Sequence, residues 1–174
     1  MAGAVEFSRG RALTTVPAAR VDATPSRWLR AKPPRIALAL TVMALALHAL
    51  VLREAVPWAQ SIAGGVLLIA AGFAWVTWAW LAFRRAHTTI LPTARPTMLV
   101  DHGPFRYGRN PMYLAMVVMM LGLGLAVGVP LMAIAALNFV AIVSSVHIPH
   151  EEAQMKRAFG GWYSDYAADV RRWF

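Results

Sequence analysis

Four apolar segments, separated by polar connectors, dominate most of the chain. The first covers residues 36–52 and the second covers residues 60–83. Residues 112–148 then contain no Asp, Glu, Lys or Arg, and a Gly-Val-Pro sequence at 128–130 divides them near the middle. A helix needs about 20 apolar residues to cross a hydrocarbon core about 30 Å thick. The pattern therefore predicts about four membrane-spanning helices, at 36–52, 60–83, 112–127 and 130–148, the last two forming a helical hairpin.

The composition agrees with an all-α integral membrane protein. Apolar residues make up 59% of the chain and charged residues only 14%, which is outside the range of ordinary soluble domains. The net charge is +9, but the cations lie beside the apolar segments, which favours the lipid bilayer over nucleic acid as a partner. Because the chain contains no Cys, disulfides, thiolate metal sites and a cysteine nucleophile are excluded.

The distribution of cations predicts the domain organisation and the topology. Residues 1–35 contain seven Arg or Lys and four Pro without sustained apolar periodicity, which indicates a basic, mostly disordered leader before a single domain at 36–174. Cations cluster again in 84–109 and 156–172, whereas the other two connectors contain only Arg53. The positive-inside rule then places both termini and the central loop on the cytoplasmic side. The central loop and the C-terminal region can therefore form one site.

Residues 101–111 are predicted to form a shaped loop before the third span. Pro104 and Pro111 punctuate the backbone, because proline fixes its own φ and restricts the residue before it. Arg106 and Arg109 lie three residues apart, and their planar guanidinium groups suit a carboxylate or a phosphate. An anion-binding loop is one interpretation. Cations that fix topology and contact lipid headgroups are the other.

A pair of acids, Glu151 and Glu152, follows the last predicted span. Pro149 directly before this region predicts the start of a new helix segment. Acids near a helix N-terminus gain about 0.3–1 kcal/mol from the helix dipole, which is a purely structural alternative to a site. The neighbouring His147 and His150 add a weaker metal alternative, because imidazoles and carboxylates bind zinc.

Aromatic and apolar residues recur at helical spacing after residue 160. They are Trp162, Tyr163, Tyr166, Val170 and Trp173. The spacing predicts an amphipathic helix in the membrane interface. Such a helix can cover the mouth of the bundle or simply anchor the chain.

Three separated elements occur in the order found in a known superfamily. They are the run Gly103-Pro-Phe-Arg-Tyr-Gly-Arg-Asn-Pro-Met-Tyr113, the Glu151-Glu152 pair after an apolar hairpin, and Phe159-Gly-Gly-Trp-Tyr163 before a terminal Arg-Trp. Over roughly residues 87–174 the chain resembles the isoprenylcysteine carboxyl methyltransferase and phospholipid methyltransferase superfamily. The resemblance implies a bacterial inner-membrane enzyme that uses S-adenosyl-L-methionine and releases S-adenosyl-L-homocysteine. In that superfamily the loop and the paired glutamates enclose the cofactor, and the acceptor enters from the membrane.

The resemblance also implies site residues. The expected cofactor-binding residues are His102, Gly103, Pro104, Arg106, Tyr107, Arg109, Asn110, Pro111, Tyr113, Glu151 and Glu152. Those expected to take part in catalysis are Arg109, Asn110, Tyr113 and Glu151. Many members have His where this chain has Asn110, so a proton-transfer role at that position is in doubt, although the Arg-Asn-Pro form also occurs among bacterial members.

The chemistry of the residues agrees with this expectation. Arg106 or Arg109 suits the carboxylate of the cofactor, and Glu151 or Glu152 suits its ammonium or ribose hydroxyls. Methyl transfer mainly requires alignment of the reacting atoms and exclusion of water. No neutral base is evident, which favours a carboxylate or thiol over an amine, with a lipid headgroup also open. The alternative is a four-span transporter or scaffold, although coupled transporters usually place an ionisable residue inside a span.

Overall fold

A computed structural model describes residues 32–52, 60–86 and 99–174, and the regular structure in these ranges is helical. The predicted leader up to residue 31, the turn at 53–59 and the connector at 87–98 lie outside the described residues. The helices are α1 (Pro33–Leu47), α2 (Ile62–Arg85), α3 (Pro111–Val127), α4 (Leu131–Ile142), α5 (Ile148–Phe159) and α6 (Gly161–Asp169). Shorter π-helical segments follow α1 (His48–Leu52) and α4 (Val143–His147), and a 3₁₀ turn covers Gly103–Arg106.

Three helical segments are long and apolar enough to cross a membrane. They are Pro33–Val51, Ile62–Arg85 and Leu131–Phe159, and the apolar helix Pro111–Val127 is shorter at 17 residues. These four helices correspond to the four apolar segments of the sequence. The protein is therefore an all-α membrane protein, as the pattern predicts.

The helix that contains the last predicted span continues beyond residue 148. Instead of closing before Pro149, α4 passes through the π-helical segment Val143–His147 directly into α5. Proline lacks an N–H and its ring crowds the carbonyl four residues earlier, here that of Ser145. The wider turn just before Pro149 accommodates both effects. The acids Glu151 and Glu152 consequently lie on α5, which continues directly from α4 through the π-helical segment.

Helices α2 and α3 approach closely through glycines. A Cβ atom on Gly65 would lie 2.5 Å from both the Gly122 carbonyl oxygen and the Ala126 amide nitrogen of α3. Gly72, two turns further along α2, would bring a Cβ to 2.6 Å from the Met119 side chain. Small residues at a helix crossing allow this separation, which larger side chains would prevent.

The helix pair α3 and α4 carries the main core. Met132, Phe139, Val143 and Ile148 are fully buried, and they pack with Tyr113 at the start of α3. Helix α1 packs on the outside of this core through α4. The core therefore ends where the central loop and α5 meet.

We expect Gly65→Ala to destabilise the helix bundle. The added methyl would overlap backbone atoms of α3, and overpacking of this kind typically costs about 1–3 kcal/mol. Gly161→Ala is the matched control, because a Cβ there has no atom within 4 Å. Thermal unfolding in detergent should show a lower midpoint for the first variant only. An unchanged midpoint for Gly65→Ala would contradict the observed packing of α2 on α3.

Candidate active site

One glycine and two prolines determine the backbone conformation of the central loop. Gly103 adopts a left-handed conformation with φ of 63°, which L side chains rarely adopt. Pro104 and Pro111 are fully buried, and Pro111 is the first residue of α3. Proline suits that position because the N–H it lacks would have no partner inside the helix. These three residues shape the loop and leave the polar contacts to its other members.

The C-terminal residues 170–174 pack along this loop. The Arg109 N–H donates to the Arg171 carbonyl at 3.0 Å, and the Asn110 side-chain amide donates to the Arg172 carbonyl at 2.8 Å. A Cβ on Gly108 would collide with the backbone carbonyl of Trp173. The predicted amphipathic helix therefore ends earlier than its aromatic spacing suggests: α6 stops at Asp169 and the chain becomes extended.

Two arginines converge on Glu152. Arg172 donates from Nε to Oε1 at 3.1 Å and from Nη2 to Oε2 at 2.7 Å, a two-point pair. Arg109 makes a single, longer contact, from Nη2 to Oε1 at 3.3 Å. The Arg109 guanidinium also hydrogen-bonds the Tyr163 side chain, and its buried Nε has no hydrogen-bond partner among the described residues. Two permanent positive charges thus surround one carboxylate.

The ionisation of the side chains around Glu152 follows from their surroundings. Burial, and next the Glu152 carboxylate, raises the pKa of Tyr163 above its ordinary value. The hydrogen bonds from Arg172 to Glu152 raise the pKa of the Arg172 guanidinium. At neutral pH Tyr163 is therefore an uncharged hydroxyl and Arg172 stays charged. The cluster presents cations, one carboxylate and a neutral phenol.

A cavity of about 430 Å³ opens beside the cluster. Such a volume is within the range of about 300–1,000 Å³ that small-molecule pockets occupy. Its polar lining comes from Arg109, Glu152, Lys156, Tyr163 and Ser164, and its remaining walls are the small residues Pro149, Ala153, Ala167 and Ala168. The cavity therefore offers both signs of charge and hydroxyl groups to one ligand.

The second acid, Glu151, faces a different environment. Its Oε1 accepts a hydrogen bond of 2.5 Å from the Tyr113 hydroxyl. The Tyr113 ring packs edge-on against the fully buried Phe139, with ring centroids 6.2 Å apart. The two adjacent acids on α5 thus have different surroundings. Glu152 lines the polar cavity, and Glu151 lies at the end of the apolar core.

The structure brings together only part of the site expected from the sequence. Arg109, Asn110, Tyr113, Glu151 and Glu152 lie in or beside the cluster. The exposed His102 instead lies beside Asp101, with 3.7 Å between His102 Nδ1 and Asp101 Oδ1. The centroid of the exposed Tyr107 ring lies about 6 Å from the ring centroids of Trp75 and Trp78. Arg106 is exposed as well. Among the described residues, no hydrogen bond or ion pair joins His102, Arg106 or Tyr107 to the paired acids.

Sequence reasoning missed Lys156, Ser164 and Arg172. Lys156 carries a usable signal, because it lies four residues after Glu152 and side chains at that spacing share one face of a helix. Arg172 lies 20 residues from Glu152, and only the folding back of the C-terminal segment brings the two together. Tyr166 adds a further link, since its hydroxyl donates to the Phe105 carbonyl of the loop at 2.8 Å.

The residues of the metal alternative have other environments. His150 Nε2 and Gln154 Nε2, four residues apart on α5, form a hydrogen bond of 2.8 Å. Within the three described ranges, no group of three or more His, Cys, Asp or Glu side chains converges as metal ligands would.

The fold and the cavity together define the class of the protein: an all-α membrane protein with a charged cavity beside the C-terminal half of its last long helix. The family model for phospholipid methyltransferase matches residues 60–161, which is more than half of the 174-residue chain. The chain belongs to this family, as its sequence resemblance predicts. The match covers α2, the loop, α3, α4 and α5 but not the C-terminal residues 170–174. Comparisons with curated proteins and with solved structures found no match.

Proposed function

We propose that this protein transfers a methyl group from S-adenosyl-L-methionine to a membrane-associated or hydrophobic acceptor, and that the cavity beside Glu152 takes the amino-acid end of the cofactor. Family membership supports methyl transfer. The observation that carries the cofactor assignment is the pairing of cations and a carboxylate around one cavity. The amino-acid end of the cofactor carries a carboxylate and an ammonium, so each charge meets its opposite there.

The charges of the cavity can be assigned to the two ends of that zwitterion. Arg109 and Lys156 would bind the carboxylate, because a guanidinium has five donors and Arg109 commits only some of them to Glu152 and Tyr163. Glu152 would bind the ammonium. A carboxylate has about four lone-pair sites, and the two arginines make three contacts with those of Glu152.

The Tyr113–Glu151 pair would hold the part of the cofactor nearer the apolar core. Glu151 Oε1 is engaged by Tyr113, which leaves its second oxygen to accept from a ribose hydroxyl. When bound, the cofactor supplies an already activated methyl group. The contribution of these residues is then to orient the reactants and keep water away, which the apolar surroundings of Phe139 favour. A carboxylate, thiol or lipid headgroup reaching this point from the membrane would serve as acceptor.

The test uses two ligands that differ only in the amino-acid end. S-adenosylhomocysteine contains this end, whereas 5′-methylthioadenosine lacks it. Calorimetric titration of the folded protein in detergent should show that the first ligand binds more tightly. Methyl transfer from labelled S-adenosylmethionine to prenylated, thiol and lipid acceptors then identifies the acceptor class. Failure of the folded wild-type protein to bind S-adenosylhomocysteine would overturn the proposed function.

Lys156→Ala is expected to weaken S-adenosylhomocysteine binding about 2- to 5-fold, because Lys156 is exposed and the loss of an exposed ion pair costs roughly 0.5–1 kcal/mol. Binding of 5′-methylthioadenosine should not change, because that ligand has no carboxylate. Arg157→Ala removes the same charge from the neighbouring position, which does not line the cavity. Equal losses in the two variants would indicate a general charge effect and remove Lys156 from the site.

A further inference from the structure

Two arginines from distant parts of the chain share one carboxylate unequally. Arg172 forms the two-point pair with Glu152, at 2.7 and 3.1 Å. Arg109 contacts only one oxygen, at 3.3 Å. Guanidinium and carboxylate groups prefer the two-point arrangement, since it makes two parallel hydrogen bonds. In the absence of Arg172, Glu152 would therefore form that pair with the adjacent Arg109.

We infer that residues 170–174 form a clasp over the site and that Arg172 is a positioning residue within it. By occupying Glu152, Arg172 prevents a two-point pair between Glu152 and Arg109. Arg109 then keeps guanidinium donors for the carboxylate of the cofactor. This inference rests on the proposed function, and it assigns a role to a segment that lies beyond the family match.

Three contacts hold the clasp in place independently of the ion pair. The backbone of residues 171 and 172 accepts from the Arg109 N–H and from the Asn110 amide, at 3.0 and 2.8 Å. The Trp173 side chain packs against the buried core that contains Phe139. The close approach of the Trp173 carbonyl requires that residue 108 has no side chain. Residues 171–173 are thus fixed against the loop and the core by contacts that do not involve the Arg172 side chain.

The hydrogen bond from Asn110 to the clasp gives this residue a positioning role that requires no proton transfer. Its side-chain amide donates to a backbone carbonyl of the clasp, a task that an N–H of histidine can also perform. Asparagine at position 110 therefore supplies the donor without a titratable group. Asn110 would act on the cofactor through the clasp, by placing Arg172.

The experiment compares Arg172→Ala and Arg172→Lys with wild type, using both S-adenosylhomocysteine and 5′-methylthioadenosine as probes. We expect Arg172→Ala to lose about tenfold in affinity for S-adenosylhomocysteine and to bind 5′-methylthioadenosine as wild type does. Arg172→Lys keeps the positive charge but cannot form the two-point pair. Its affinity for S-adenosylhomocysteine should therefore lie between those of Arg172→Ala and wild type. Arg157→Ala, which removes an exposed cation outside the cavity, serves as the charge control.

A double-mutant comparison separates positioning from direct contact. Lysine at position 109 cannot form a two-point pair with Glu152, so Arg172→Ala should have little further effect in an Arg109→Lys background. Losses that multiply in the double variant would mean that Arg172 contacts the ligand itself, which overturns the positioning role. Equal losses for both probes in Arg172→Ala would mean a merely structural role and would also overturn it.

The two proposals fail in different ways. If wild type binds S-adenosylhomocysteine and Arg172→Ala binds it equally well, the clasp inference is wrong and the proposed function stands. If folded wild type does not bind S-adenosylhomocysteine, both are wrong. Asn110→Ala provides a second variant with Arg172 intact, and it should reproduce the selective loss of S-adenosylhomocysteine affinity.

Discussion

Arg109→Gln is expected to lower the affinity for S-adenosylhomocysteine by at least about 30-fold. The Arg109 side chain is 15% exposed, and its guanidinium contacts Glu152 and Tyr163 at the wall of the cavity. Removing one member of a largely buried charge pair costs about 2–5 kcal/mol, and 1.4 kcal/mol is a tenfold change in affinity. Glutamine keeps an uncharged N–H donor but is shorter than arginine and lacks its charge. Calorimetric titration in detergent measures the loss directly.

Arg106→Gln provides the matched comparison. Arg106 lies three residues earlier in the same loop, and the sequence offers the two arginines as equal candidates for the carboxylate. In the structure Arg106 is exposed and has no ion pair with the described acids, so its replacement should change the affinity less than threefold or so, as for other exposed charges. A large loss in Arg106→Gln with little loss in Arg109→Gln would show that the cofactor carboxylate is assigned to the wrong arginine.

Gly108→Ala is expected to displace the clasp of residues 170–174. The added Cβ would overlap the Trp173 backbone carbonyl, so one of the two segments must move. A penalty of about 3 kcal/mol, at the upper end for overpacking, lowers the population of the clasped state more than 100-fold. S-adenosylhomocysteine affinity should fall at least as far as in Arg172→Ala, because both Arg172 and Trp173 would be displaced.

Hydrogen exchange reports this displacement independently of ligand binding. The Arg109 amide is bonded to the Arg171 carbonyl, so peptides that contain residue 109 should exchange faster in Gly108→Ala than in wild type. S-adenosylhomocysteine affinity, measured on the same variant, provides the second measurement. Gly161→Ala, where a Cβ meets no atom within 4 Å, should leave both measurements unchanged. If Gly108→Ala shows the same amide protection and the same S-adenosylhomocysteine affinity as wild type, the clasp does not pack on the loop as described.

The apolar pattern predicted the helices well because each span is a local property of the chain. Continuous apolar residues at 112–127 and 131–142 form helices in any hydrocarbon environment, and the αL glycine at 128 ends the first of them. A helix segment does begin at Pro149, because α5 starts at Ile148 with Pro149 in its first turn, but α5 is continuous with α4. A π-helical segment just before Pro149 accommodates the ring, so the helix continues and places Glu151 and Glu152 on α5.

The site residues remain a prediction, but the contacts among them show what the sequence could not supply: the contacts made where the chain folds back. The two acids share a sequence motif, yet only packing assigns Glu151 to Tyr113 and Glu152 to the arginines. The aromatic spacing predicted that the last helix extends to Trp173. Backbone hydrogen bonds to the loop and the burial of Trp173 against the core favour an extended end instead.

The sequence by itself determined the membrane class, the four apolar helices, the loop between prolines and the family, because each depends on residues close together in the chain. Tertiary structure alone decided which arginine faces the cavity and which residue holds Glu152. Arg109 and Arg106 have the same charge and the same local sequence context, and only the direction of the loop distinguishes them. Arg172 reaches Glu152 because an extended terminus returns across the loop, and that return depends on contacts between residues more than 60 positions apart.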